Sequence, residues 1–384
     1  TCGRMSVDEA RRREPALSAN GRTAFWIPED GHLDPFYLVM GNVSSARRRG
    51  AQVRTYTEVT GFLKTGNQVS GVVIRDVMTG EETTIGCKAV INATGAWAGF
   101  VARLLDVEVK VVPVKGVMVV LSRRLAHAAI NRCHKPGDGD IVVPGLSVAI
   151  LGTTSVKVPD PEVLPIEWDE VRRMIDEGAK MLDGVTTARA MRAYAGVRPL
   201  YDLGAEAEGR EMSRNFAVID HEERDGIAGF TSIVGGKVTT YRLMAQRVTD
   251  AVAHRLGVTT PCATADVPLN DRADEFDQLR HRPAQMGMPK PHADELALQP
   301  LLCECELVRP QDADPWFADP AVRTLEDIRR RTRAGMGPCQ ASICSSRLAG
   351  RPVPERHLGA QAAPLAMADV LRTSMRGVRR AFWG

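Results

Sequence analysis

The chain has no uninterrupted apolar stretch of the roughly 18 to 20 residues needed to cross a bilayer, and no charged-then-apolar signal peptide opens it. It reads as cytoplasmic. Nor does it carry a surplus of either charge: 50 Lys and Arg stand against 47 Asp and Glu, a formal balance of +3 over 384 residues. No broad basic face for nucleic acid follows, so any bound anion must be held by particular side chains. Internal repeats are missing too. So is the Gly-x-Gly-x-x-Gly that follows a leading strand and seats a dinucleotide pyrophosphate. The first residues, to Glu14, read instead as the interior of a protein, with a helical Asp8 to Arg13 leading to Pro15. The sequence is therefore expected to be a fragment of a longer chain.

What is present is an ordinary globular composition, 44% hydrophobic and 25% charged, with room for two or more domains. Asp34-Pro35 is a helix start, since Asp caps free amides and Pro suits the first turn, and the helix is predicted to reach Arg49 and stop at Gly50. Strands are predicted over Gln52 to Lys64, Val69 to Val77, Glu82 to Lys88 and Ala89 to Asn92. Val107 to Leu121 and Asp140 to Thr154 are again β-rich and precede a helical Ile166 to Leu182. Phe216 to Asp220 and Gly229 to Val234 return to buried-strand character. They lead into a helix whose apolar stripe is Met244, Val248, Val252 and Leu256. This pattern gives an α/β (α+β) domain over 1–260 with a substrate-covering sheet at about 107–200. A polar, proline-containing linker follows at 261–298, then a cysteine module at 299–350 and a tail with a last helix at 351–384.

Four of the eight cysteines crowd the last quarter. Cys303 and Cys305 are two apart, Cys339 and Cys344 five apart, and Gly335 and Gly337 stand just before the second pair. Four thiolates so spaced can surround one small centre, with glycine amides close enough to stabilise the sulfur charge. In a reducing compartment this favours a metal or cluster over disulfides. The spacing favours a [2Fe–2S] cluster, with structural zinc and unliganded thiols as the alternatives. The stretch resembles the bacterioferritin-associated-ferredoxin-like (BFD-like) [2Fe–2S] domain, including Arg330 to Arg333 ahead of Gly335-Met336-Gly337, and the resemblance implies one-electron transfer.

Ile91-Asn92-Ala93-Thr94-Gly95 is a strand that breaks at a glycine before a helix, and Gly235-Gly236 precede another helix start. Either turn would let backbone approach a flat cofactor, yet each alone is equally an ordinary connection. What decides between these readings is a resemblance carried by the motifs taken together. Asp34-Pro35, Asn92 to Trp97, Lys115-Gly116, Asn131 to Cys133, Leu151 to Thr154, Tyr194 to Leu200, and Gly235-Gly236-Lys237 through Arg242 follow one another as in FAD-dependent glycerol-3-phosphate dehydrogenases. With the fused cysteine module, the chain resembles the large (A) subunit of the anaerobic enzymes of that family from about Glu14 onward, lacking the N-terminal FAD-binding segment. Met118 agrees, standing where the aerobic type carries a histidine.

The resemblance implies a glycerol-3-phosphate dehydrogenase/D-amino-acid oxidase-like fold and FAD bound by Thr94, Gly95, Ala96, Trp97, Gly235, Gly236 and Lys237. It implies a glycerol 3-phosphate site at Arg198 and Lys237, aided by Thr153 and Thr154, and a cluster on Cys303, Cys305, Cys339 and Cys344. Hydride passes to FAD, and single electrons pass through the cluster to B- and C-type subunits and so to the quinone pool. The protein would then lie on the inner face of the cell membrane through those subunits. No histidine is assigned as base; His127, His134 and His221 read as structural or surface residues. Two rival readings are an amino-acid or 2-hydroxy-acid oxidase, which would present only Arg198 to a carboxylate, and a non-catalytic electron-transfer fragment.

Overall fold

The computed structural model describes residues 2–135, 137–201, 215–269 and 300–351. Strands β1 (Gly3–Met5) and β2 (Ala24–Trp26) pair antiparallel around α1 (Val7–Arg13), which starts where Ser6 accepts the Glu9 amide. α2 (Pro35–Arg48) begins as its sequence predicts, Asp34 accepting the Phe36 amide at 2.9 Å, and the chain turns away at Gly50 with φ +89°. β3 (Thr57–Thr65), β4 (Gln68–Asp76) and β5 (Glu82–Gly86) form an antiparallel meander. Its first strand begins at Thr57 rather than Gln52, because Tyr56 adopts φ +54° and turns its hydroxyl to Asp327 at 2.8 Å.

β6 (Val90–Asn92), a 3₁₀ turn at Gly95–Trp97 and α3 (Ala98–Arg103) come next. The covering sheet is then built from β7 (Val111–Leu121), β8 (Ile130–Asn131), β9 (Ile141–Pro144), β10 (Ala149–Gly152), β11 (Val156–Lys157) and, after α4 (Trp168–Ala179), β12 (Ala190–Tyr201). β12 runs along one whole edge of β7, so β10 and β11 share the other. In the gap between them the loop at Thr153 and Thr154 lies against Val117. Val171 and Met174 of α4 close the buried core over this sheet with Val117, Val119 and Leu151.

β13 (Phe216–Asp220) is joined by α5 (His221–Asp225) to β14 (Phe230–Gly235), which pairs antiparallel with β13 and parallel with β6. After a 3₁₀ turn at Val238–Thr240, α6 (Tyr241–Arg255) buries Val248 and Val252. Leu256, expected as the fourth member of that stripe, is 46% exposed. It caps the helix, and Gly257 at φ +73° has already turned the chain outward.

The last described unit holds α7 (Pro310–Phe317), α8 (Leu325–Thr332) and α9 (Cys344–Ala349) around a core that includes Leu302, Val308, Phe317, Ile328 and Leu348. A separate core is what the sequence predicts for the cysteine module. Its docking is not. Arg333 is ion-paired with Asp34, Arg47 with Asp319 at 3.1 Å and Arg323 with Asp76 at 2.5 Å, and Ser147 donates to Glu306 at 2.6 Å. Most of the expected linker, from 270, and the tail from 352 lie outside the described residues.

Candidate functional site

The parallel pair β6 and β14 ends in glycine turns on the same side of the sheet, where open α/β sheets hold ligands. At the end of β6, Thr94 is exposed, Gly95 sits at φ +59° and Ala96 is buried beneath. Gly95 has open space beyond the Pro199 ring 3.9 Å away, so a flat ring system can approach its backbone. Trp97 is half-covered and donates from its indole to Glu162 at 2.5 Å. At the end of β14, Gly235 and Gly236 have φ +77° and +79°, and a Cβ on either would strike Asn215 O at 2.4 Å or Met244 Sδ at 2.3 Å. These two turns suit a bound flavin: the first has open space over Gly95, and the second is too tightly packed at both glycines to admit a side chain.

The turn after β6 is fixed from below. Thr94 donates to Asn92 Oδ1 at 2.7 Å, and Asn92 donates to Ala98 O at 2.9 Å and Ser232 Oγ at 3.1 Å. Ser232 meets His221 Nε2 at 2.8 Å, and His221 Nδ1 meets Asp225 at 2.6 Å. Because the Asp225 carboxylate can only accept, Nδ1 is the imidazole donor, and in the neutral ring Nε2 accepts the Ser232 hydroxyl proton. Burial first, then Arg224, holds the His221 pKa below its ordinary value and keeps the ring neutral, against the opposite pull of Asp225. Of the two places the sequence allowed this histidine, it takes the structural one.

Arg198, on β12, donates from Nη1 to Thr154 O at 3.2 Å and from Nη2 to the Thr153 hydroxyl. Its guanidinium lies over Gly116, where a Cβ would come within 2.7 Å of Nη2 and 3.1 Å of Cζ. The structure thus brings Arg198, Thr153, Thr154 and Gly116 together. Thr154 is placed differently from the expectation that its hydroxyl serves a ligand. That hydroxyl is fully buried, donates to Glu170 Oε1 at 3.0 Å and accepts from the Val117 amide at 2.9 Å. Its carbonyl is what Thr154 offers Arg198. Glu170 in turn takes Lys115 Nζ at 2.7 Å, and Lys115 also reaches Pro165 O at 2.6 Å. Neither partner of this pair was assigned a role from sequence. A glutamate in the first turn of an amphipathic helix gives no local sign that it will meet a lysine 55 residues away.

Lys237 is exposed, just past the end of β14, with its amide bonded to the Thr240 hydroxyl at 3.1 Å. The 3₁₀ turn at Gly95–Trp97 packs against both β12, which carries Arg198, and β14, which precedes Lys237.

In the C-terminal unit Cys303 and Cys344 are buried, Cys305 and Cys339 are half-buried, and all four are free thiols. The Cys344 thiol donates a hydrogen bond to Cys303, and the Cys305 thiol donates one to Cys339. The Gly335 amide donates to Cys303 Sγ at 3.4 Å from a φ of +78°. Hydrogen bonding from Cys344 and from backbone amides outweighs burial and lowers Cys303 to about 7, whereas burial pushes Cys305 up to about 11. Cys344 is raised because it donates to Cys303 and is buried. Gly337 lies so near Cys305 that a Cβ would come within 2.4 Å of the cysteine's own. Among the described residues no group of three or more His, Cys, Asp or Glu is disposed to hold a metal ion. The thiols stand as two pairs, and in a two-iron centre each iron takes two thiolates, so this donor set suits such a centre pairwise.

Residues 3–242 match the family described as FAD dependent oxidoreductase. The chain is 38% identical to the A1 subunit of anaerobic glycerol-3-phosphate dehydrogenase from Haloferax volcanii, over 99% of its own length and 68% of that protein's. It is 37% identical to the A subunit of the Escherichia coli K12 anaerobic glycerol-3-phosphate dehydrogenase, over 90% of this chain and 67% of that one. Among solved structures, glycerol-3-phosphate dehydrogenase of Bacillus halodurans complexed with FAD superposes with a TM-score of 0.69 at 20% identity, covering 99% of this chain and 80% of that one. Glycine oxidase of Bacillus cereus superposes at 0.51 and 21% identity, covering 69% and 68%. These two likenesses establish the shared fold. No described helix is long and apolar enough to cross a membrane.

Proposed function

We propose, from the premise that this chain belongs to the FAD-dependent oxidoreductase family and, within it, with the A-type subunits of anaerobic glycerol-3-phosphate dehydrogenase, that it oxidises sn-glycerol 3-phosphate to dihydroxyacetone phosphate. The observation that carries the reading is likeness to those subunits at 37 to 38% identity over 90 to 99% of the chain. The placement of Arg198 supports it. A guanidinium held by Thr153 and Thr154 over a glycine keeps its geometry fixed and offers forked donors suited to phosphate oxygens. Lys237, exposed just past β14, is the second cation assigned to the dianion. The amino-acid oxidase reading has only the common fold behind it.

In this reading Thr94, Gly95, Ala96 and Trp97 with Gly235, Gly236 and Lys237 hold FAD, which when bound accepts the hydride of the secondary alcohol. The chain's own contribution is positional. Arg198 and Lys237 fix the phosphate end, and the buried Asn92, Ser232 and His221 chain keeps the Thr94 turn in one conformation. Cys303, Cys305, Cys339 and Cys344 would hold a [2Fe–2S] cluster, which would supply one-electron transfer toward B- and C-type subunits and the quinone pool.

The test is anaerobic addition of glycerol 3-phosphate to flavin-loaded protein. Bleaching of the flavin bands should accompany stoichiometric dihydroxyacetone phosphate. Bleaching by glycine or a 2-hydroxy acid but not by glycerol 3-phosphate would replace the reading with the oxidase one.

A further inference from the structure

The strand register places Arg198 opposite Val114 and Val197 opposite Lys115. Successive side chains of a strand point to opposite faces, so Lys115 leaves the sheet on the face away from Arg198. There it is 3% exposed, and its partner Glu170 is 8% exposed, on α4. An ion pair so enclosed costs desolvation and is weak evidence for stability in itself, so its geometry calls for another account. Thr154 supplies one. It lies in the gap of the β7 edge between β10 and β11, donates its hydroxyl to Glu170 on the α4 face, and gives its carbonyl to Arg198 on the other. Glu170 is bound at both oxygens, Oε1 by Thr154 and Oε2 by Lys115 and the Glu167 amide, so it has no freedom to swing.

We propose that the Lys115–Glu170 pair is a positioning element for Arg198, acting through Thr154 to hold the guanidinium over Gly116. The proposal rests on Arg198 being the phosphate anchor. Thr154→Val keeps the size of the side chain and leaves the ion pair intact, but cuts the link. With Arg198 present it should raise KM for glycerol 3-phosphate on the order of tenfold with a smaller change in kcat, because a charged-group hydrogen bond loses its alignment. Thr154→Ser should restore KM, and in an Arg198→Ala background Thr154→Val should add almost nothing. Glu170→Gln should follow Thr154→Val. Because it strands a buried lysine and risks misfolding, the Thr154 variants decide, each with its thermal midpoint measured alongside. Equal KM increases from Thr154→Val in both backgrounds, or none while Arg198→Ala is impaired, would overturn the positioning role alone. A silent Arg198→Ala would remove the phosphate-anchor reading and this proposal with it.

Discussion

Arg333, which stands two residues before the glycine that donates to the Cys303 sulfur, is ion-paired with Asp34, the residue that caps α2 in the large domain. The same guanidinium reaches Glu306 at 2.9 Å, next to Cys305. Glu306 is fully buried, and the two carboxylates together keep Arg333 charged despite burial. One side chain therefore joins the thiol loops to the start of α2, and the cysteine module is seated by charge as well as by its own core.

Replacing Arg333 by Met strands the Glu306 carboxylate. Breaking a buried pair costs roughly 3 to 5 kcal/mol, and the lower end is expected because water still reaches Asp34. Thermal unfolding should show the loss, and adding Glu306→Gln to the same chain should recover part of it. An unchanged midpoint in Arg333→Met would show that the pair contributes nothing to docking.

The proposed cluster is tested at its paired thiols. Cys303→Ser or Cys344→Ser removes one member of the buried pair, and either should abolish the visible iron–sulfur absorbance, with iron falling from about two per chain toward zero. The measurement is iron and acid-labile sulfide on anaerobically purified protein. Stoichiometric zinc without iron in the unsubstituted chain would sink the cluster assignment.

His221 predicts a pH dependence. Its folded pKa lies below the ordinary 6.5, chiefly through burial, so between the two values the unfolded chain binds more protons than the folded one. Stability should therefore rise with pH through that window, and the penalty should be complete once pH falls below the folded value. Groups facing the ring include Asp225, Arg224 and Asp220, and Asp225 is itself held low by Arg224 and His221 against its own burial. Thermal midpoints taken from about pH 5 to 7 should climb less steeply in His221→Gln. Parallel slopes in the two proteins would assign the dependence to other groups.

What the sequence made legible was local. The Asp34-Pro35 cap, the strand that breaks at Thr94-Gly95 and the double glycine ahead of α6 each depend on neighbours a few residues away, and each sits where the pattern placed it. Three features eluded it for one reason. The turning of the Thr154 hydroxyl to Glu170, the Lys115–Glu170 pair and the Arg333–Asp34 contact all depend on which segments become neighbours in the fold, and no periodicity encodes a meeting between residues 16, 55 or 299 positions apart. Tyr56 is a smaller case. A β-rich stretch is diverted into a left-handed residue because its hydroxyl finds Thr324 and Asp327 in the distant module.

Gly116 gives the sharpest separation of fold from function. It lies mid-strand in β7, where alanine is ordinarily welcome, and it is absent from the positions where a positive φ requires glycine. What it provides is room: a Cβ would stand 2.7 Å from Arg198 Nη2 and 3.0 Å from Nη1. Those atoms are the far end of a flexible side chain, so the guanidinium can move aside and the backbone need not. Gly116→Ala should therefore fold with a midpoint close to the parent's. It should also push Arg198 off Thr153 and Thr154 and cost roughly 1.5 to 3 kcal/mol of phosphate binding, on the order of tenfold to a hundredfold in kcat/KM for glycerol 3-phosphate. Oxidation of glycerol, which carries no phosphate, is the control and should change little. Steady-state kinetics on both substrates, beside a thermal scan, decide it. A variant that folds normally and keeps its kcat/KM for glycerol 3-phosphate would mean that the arginine over this glycine does not hold the phosphate.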